Sequence, residues 1–181
     1  MISRKMTDTM NKQATAEFYS AYLYLQMAAY FESLNLKGFA NWMRVQKLEE
    51  QVHGMKFFDH MVERGAAVKL GAIDAPPVKW ASPLAVFEAA YQHEVKVTGM
   101  INNLVNIARE EKDHASDAFL QWFVTEQVEE ESSTLTIAQK LKLIGKDSSG
   151  LFMLDRELAL RVFTPPPMTG TATAPPAAQG A

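Results

Sequence analysis

The sequence predicts an all-α fold: a four-helix bundle with a long crossover between its second and third helices, plus a short fifth helix near the C-terminal end. Three observations predict it. Apolar residues recur with helical period over long stretches, the first of which, Met6 to Ser33, holds no glycine or proline. The first connection between such stretches is short and the second is long. The pattern of polar residues set into the apolar rows repeats at a fixed interval in the two halves of the chain.

In the first stretch the row Met10, Ala14, Glu17, Ala21, Tyr24, Ala28, Phe31 follows the three-four step of an inward face, with Glu17 its only charged member. Asn35-Leu36-Lys37-Gly38 is a short turn, so the second helix, Phe39 to Arg64, runs back antiparallel. Its inner row is Phe39, Met43, Gln46, Glu50, His53, Phe57. The segment from Gly65 to Ser82 carries two glycines and the pair Pro76-Pro77 and is a loop. Fully extended it spans about 60 Å, against about 40 Å for a helix of this length, so it can cross the bundle and leave helices two and three parallel. Ser82-Pro83 is a helix start, with serine as N-cap and proline in the first turn. The third helix runs to Glu111 with the row Phe87, Tyr91, Glu94, Thr98, Ile101, Val105, Ala108. Asp113 caps a fourth helix that Gly145 ends after Ile144, with the row Leu120, Phe123, Gln127, Glu130, Thr134, Ile137, Leu141. Leu151 to Phe163 is a shorter amphipathic helix, whose apolar side is expected to be covered by symmetry mates. Residues 1–163 thus form one domain. The segment 164–181, rich in Pro, Ala and Thr and without charge, cannot bury a core and is expected to be disordered.

The length of 181 residues suits one domain with a sizeable core. A net charge of −3 gives no reason to expect nucleic acid or an anionic membrane as partner. The N-terminal residues lack the apolar stretch of a secretory signal and no run is long enough to span a bilayer, so a cytoplasmic location is expected. Cysteine is absent, which removes disulfides, thiolate zinc and iron–sulfur clusters. Any metal must be held by carboxylate and imidazole.

Glu50 and His53 are three residues apart, which places a carboxylate and an imidazole on one helix face, about 5 Å apart along the axis. A lone pair of this kind is a weak signal. The repeat strengthens it: Glu17 to Glu50 and Glu94 to Gln127 are both steps of 33 residues, and Glu50 to His53 and Gln127 to Glu130 are both steps of three. Two helical hairpins packed about a pseudo-twofold axis would point all six residues at one spot, as helical bundles do when they build dinuclear carboxylate sites. Buried polar residues can also merely hydrogen-bond one another or set helix register. Four carboxylates at one point, however, repel unless cations or protons neutralise them. Carboxylate oxygens with one imidazole favour Fe, Mn or Mg-like ions, and two redox-active irons bridged by Glu50 are the best fit.

The set Glu17, Tyr24, Glu49-Glu50-x-x-His53, Glu94, Gln127-x-x-Glu130 resembles the bacterial non-haem ferritins, over the chain up to Phe163. The resemblance implies a ferritin-like fold and a ferroxidase that oxidises Fe(II) with O2 or peroxide (H2O2). It also implies storage of ferric mineral in a hollow homo-oligomer of 24 subunits. It assigns Glu17, Glu50 and His53 to the first iron and Glu50, Glu94 and Glu130 to the second. Gln127 would lie beside the oxygen-binding position, and Tyr24 would be a hydrogen-bond donor or electron source to the centre, or else a core aromatic with a satisfied hydroxyl. Bacterioferritins differ in carrying a second Glu-x-x-His pair and a haem-ligating Met after the bridging Glu. This chain has Gln127-x-x-Glu130 and Gln51 there, which argues against haem. Rubrerythrins need a four-cysteine domain, and miniature ferritins place their irons between subunits and lack the fifth helix.

Glu49, Glu126, Glu129 and Glu131 flank the inner pairs. Such runs are commonly a solvated acidic face; the resemblance implies instead a third iron site formed by Glu49, Glu126 and Glu129 with Glu130 shared. His60, His93 and His114 match no ligand position and are read as structural or surface residues. A di-iron oxidase or peroxidase that stores no mineral is the enzymatic alternative, and an inert bundle the non-catalytic one.

Overall fold

The computed structural model describes residues 2–165 and holds five helices: α1 Arg4–Ser33, α2 Lys37–Glu63, α3 Pro83–Glu110, α4 His114–Ile144 and α5 Ser148–Leu158. The expected disorder of the tail concerns residues outside that range, apart from 164 and 165. No described helix is long and apolar enough to cross a membrane.

Short side chains start four of the five described helices, all but α2. Ser3 Oγ accepts from Met6 N at 3.0 Å, and Ser82 Oγ accepts from Ala85 N at 3.1 Å. Asp113 accepts from Ser116 N at 3.2 Å, and Asp147 from the amides of Ser149 and Gly150. Each satisfies amides that the first helical turn leaves without a partner. The turn after α1 closes through Asn35 at φ 58°, with Leu36 N donating to Phe31 O at 3.0 Å. α4 ends at Gly145, whose φ of 58° and ψ of −114° suit only glycine.

The crossover follows α1 along its length. Asn11 binds Ala67 O and Lys69 N, Thr15 Oγ1 accepts from Gly71 N, and Trp80 stands edge-on to Tyr30. It thereby carries the chain from the Met6–Met61 end of the bundle to the Phe31–Phe39 end, where α3 begins with Phe87 packed 6.0 Å from Phe39. Helices α2 and α3 are therefore parallel, as the loop length predicts, while α1/α2 and α3/α4 are antiparallel hairpins. All members of the four inner rows are buried except Tyr91 and Thr98, which are half-buried.

The fifth helix departs from expectation at both ends. It starts at Ser148 because Asp147 caps it, and it stops at Leu158 rather than Phe163. There the carbonyls of Leu158, Ala159 and Arg161 are taken by Nδ2 of Asn41 on α2, at 3.4, 3.3 and 2.9 Å. The same last turn is pinned by Asp155, which accepts from the amides of Gly38 and Phe39 at the start of α2. Gly38 belongs to that first turn and is needed there: a Cβ would fall 1.6 Å from Asp155 O.

Candidate metal centre

The core is divided by a polar layer. One apolar cluster gathers Phe31, Phe39, Phe87 and Leu141, the other Met6, Phe57, Leu104 and Phe123. Between them lie Glu17 from α1, Glu50 and His53 from α2, Glu94 from α3, and Gln127 and Glu130 from α4, none more than 4% exposed. The 33-residue repeat thus becomes one level in the bundle.

Ligand atoms of Glu17, Glu50 and His53 lie within 4.8 Å of one another, as do those of His53, Glu126 and Glu130. Without a cation, His53 serves as the counter-charge. Its Nδ1 is 3.4 Å from Glu50 Oε2 and its Nε2 is 3.8 Å from Glu126 Oε1. Glu94 stands outside both close groups. One of its oxygens accepts from the Tyr24 hydroxyl, and the other is 3.4 Å from Gln127 Nε2.

Protons follow this geometry. Burial, then the charge of Glu50, pushes the Glu17 carboxyl up to about 8. The same two causes push Glu94 up to about 8. Burial, then Glu94 and Glu50, raises Glu130 well above the carboxylate range. Burial would raise Glu50 as well, but the adjacent His53 outweighs it and holds Glu50 below its ordinary value. Burial opposes a charge on His53, yet Glu50, Glu126 and Glu17 raise its affinity for a proton well above normal. Glu50 and His53 thus form a buried ion pair beside carboxyls that burial and mutual repulsion push toward the protonated form.

That arrangement leaves Glu17 Oε2 buried with no hydrogen-bond partner among the described residues. A buried polar atom without a partner costs about 1–3 kcal/mol, and a cation at this point would satisfy it. The donor set, carboxylates with one imidazole, suits ions such as iron or manganese.

Two glutamines complete the layer. Gln13 Nε2 donates to Glu17 Oε1 at 2.8 Å, and Gln46 Nε2 donates to Glu130 and, at 3.4 Å, to Glu50. Sequence reasoning assigned neither a role. The signal is present, since each stands four residues before its carboxylate and the two are again 33 apart.

The outer acidic residues do not gather as one group. Glu126 joins His53 and Glu130, whereas Glu129 is exposed and belongs to neither group. Glu131 accepts from Thr98 Oγ1. Glu49 is paired with Arg161 at 2.5 Å. His60 stacks on Phe119 with ring centroids 4.0 Å apart, His93 bonds Ser20 Oγ at 2.7 Å, and His114 is exposed at the start of α4; none joins the ligand groups.

Such a bundle, with carboxylates from all four helices and one imidazole meeting inside it, has the arrangement by which helical bundles hold metal ions in their core. Residues 7–144 match the family described as Ferritin-like domain. The chain is similar to the bacterial non-heme ferritin of Bacteroides fragilis, 42% identical over 161 residues that cover 89% of this chain and 100% of that one. It is 39% identical to that of Staphylococcus aureus over 163 residues, 90% of this chain and 98% of the relative. An open pore ferritin from the hyperthermophilic archaeon Archaeoglobus fulgidus superposes with a TM-score of 0.88 at 58% identity, covering 90% of this chain and all of that one. The chain belongs to the ferritin family.

Proposed function

We propose that this protein is an iron-storage ferroxidase of the bacterial non-haem type. Its buried centre oxidises Fe(II) with O2 or peroxide, and a hollow cytoplasmic shell of 24 copies holds the ferric mineral. The observation that carries the reading is the buried layer of carboxylates from four helices with an unpartnered Glu17 oxygen facing it.

Glu17, Glu50 and His53 would bind one Fe(II), and Glu50, Glu94 and Glu130 the other, with Glu50 shared because its charge acts on both Glu17 and Glu94. Two electrons, one from each iron, match the reduction of O2 to H2O2. Entry of cations displaces the protons held by Glu17, Glu94, Glu130 and His53, so the carboxylates become charged only as the irons arrive. Tyr24 holds one oxygen of Glu94 by donation from its hydroxyl, and the other, 3.4 Å from Gln127 Nε2, would turn to the metal. Gln127, bonded to Glu94 O at 3.2 Å and to Thr98 Oγ1 at 3.2 Å, borders the space where the oxidant would sit. A third iron site on Glu49, Glu126 and Glu129, with Glu130 shared, is supported by Glu126, which gathers with His53 and Glu130, whereas Glu49 is held by Arg161 and Glu129 would have to turn inward.

Fe(II) added anaerobically to metal-free protein and then mixed with O2 tests the reading. Fast oxidation should saturate at two irons per chain. Glu50→Ala should slow that phase on the order of 100-fold, since even contacts that only support a ligand cost 10- to 100-fold in metal affinity. Helicity and assembly should persist. An unchanged rate in this variant contradicts the dinuclear assignment.

A further inference from the structure

Past the end of α5 the chain turns back against α2, and Arg161 reaches the edge of the polar layer. Its Nη2 donates to Glu49 Oε2 at 2.5 Å and its Nη1 donates to Gln46 Oε1 at 2.8 Å, while the guanidinium lies 4.3 Å over the Trp42 ring. Asn41 holds the Arg161 backbone carbonyl at 2.9 Å, so the segment is strapped to the helix it reaches. The Arg161 and Glu49 side chains are 24% and 20% exposed, and Gln46 is fully buried.

Donor chemistry fixes what this contact does. A guanidinium only donates and stays charged, so Gln46 must turn its oxygen toward Arg161. Its NH2 group is then committed to the other side, where it donates to Glu130 and reaches Glu50. Arg161 therefore acts on two inner carboxylates that it does not touch. At the same time it neutralises Glu49, a carboxylate near His53, Glu50 and Glu126.

We propose that Arg161 is a tethered counter-cation of the metal centre: it occupies Glu49 in place of an outer metal ion, and through Gln46 it positions Glu130 and Glu50 for the inner ones. The outer site then opens to a divalent cation only when the segment after α5 lets Arg161 leave Glu49. This rests on the dinuclear reading above and extends it to a residue outside the four-helix bundle.

Zn2+, which is redox-inert, is the probe, titrated calorimetrically into the metal-free assembled protein. Wild type, Arg161→Gln and Arg161→Lys should all fill the inner set. Arg161→Gln removes the competing charge and should bind a further Zn2+ about tenfold tighter than wild type, the scale set by losing a hydrogen bond to a charged group. Arg161→Lys keeps a cation on Glu49 and should leave that outer affinity at the wild-type value. Its single point charge cannot also hold Gln46, so its inner affinity should fall. Should Arg161→Gln fail to assemble, wild-type crystals soaked in Zn2+ decide: an outer Zn2+ on Glu49 should be seen only where the Arg161 side chain has swung away. An outer affinity equal in wild type and Arg161→Gln, an outer affinity changed equally in the Gln and Lys variants, or Zn2+ on Glu49 with Arg161 still in place overturns the proposal. Failure of the inner set to bind in wild type overturns the dinuclear reading itself.

Discussion

At the level of single residues the centre stores protons. Glu17 and Glu94, held up to about 8 by burial and by Glu50, bind protons more tightly in the folded chain than in the unfolded one, where the value is 4.5. Their stabilising contribution is complete below about 4.5 and is lost as pH rises through about 8. Metal-free protein should therefore melt at progressively lower temperature between about pH 5 and 8, while Zn2+ should restore the loss by replacing those protons. Calorimetry of the double variant Glu17→Gln/Glu94→Gln checks the cause, because it should show a shallower decline. A decline as steep as wild type would assign the pH effect elsewhere. The six residues of the layer were legible from spacing, since a carboxylate in an apolar row is costly without a reason. Arg161 was not legible: its position is set by a backbone strap to Asn41, which no local pattern in the chain reveals.

The helices show the same division. Starts at Ser82 and Asp113 and the stop at Gly145 follow from local chemistry and were legible. The end of α5 was not, because α2 takes its carbonyls across more than a hundred residues of chain. Gly38 has the character of a turn residue in sequence, yet it sits inside α2 as the point where α5 backbone comes closest. Gly38→Ala should destabilise the fold by about 1–3 kcal/mol, the usual cost of overpacking. It should also loosen α5, which would be seen as faster amide exchange in residues 148–158. Unchanged stability and exchange would mean that the α2–α5 contact contributes little. α5 buries Leu154 and Leu158 against the bundle while its Phe152 and Met153, and Leu160 and Val162 just beyond it, stay more than 60% exposed. That apolar outer face suits contact with further copies of the chain.

For the molecule as a whole, the crossover decides the site. By laying residues 64–82 along α1 the chain makes α2 and α3 parallel, which brings Glu50 and Glu94 to one level. The length of the loop made this topology legible, because a short connection would have forced an antiparallel neighbour. Storage follows only if many copies enclose a cavity, so assembly and oxidation must appear together. The most direct measurement is aerobic Fe(II) loading followed by size-exclusion chromatography with iron and protein quantified in the same peak. A large shell carrying far more than two irons per chain is the predicted result. Two irons or fewer per chain in a small oligomer would contradict storage and point to a non-storing oxidase, and no bound iron would contradict the metal centre altogether.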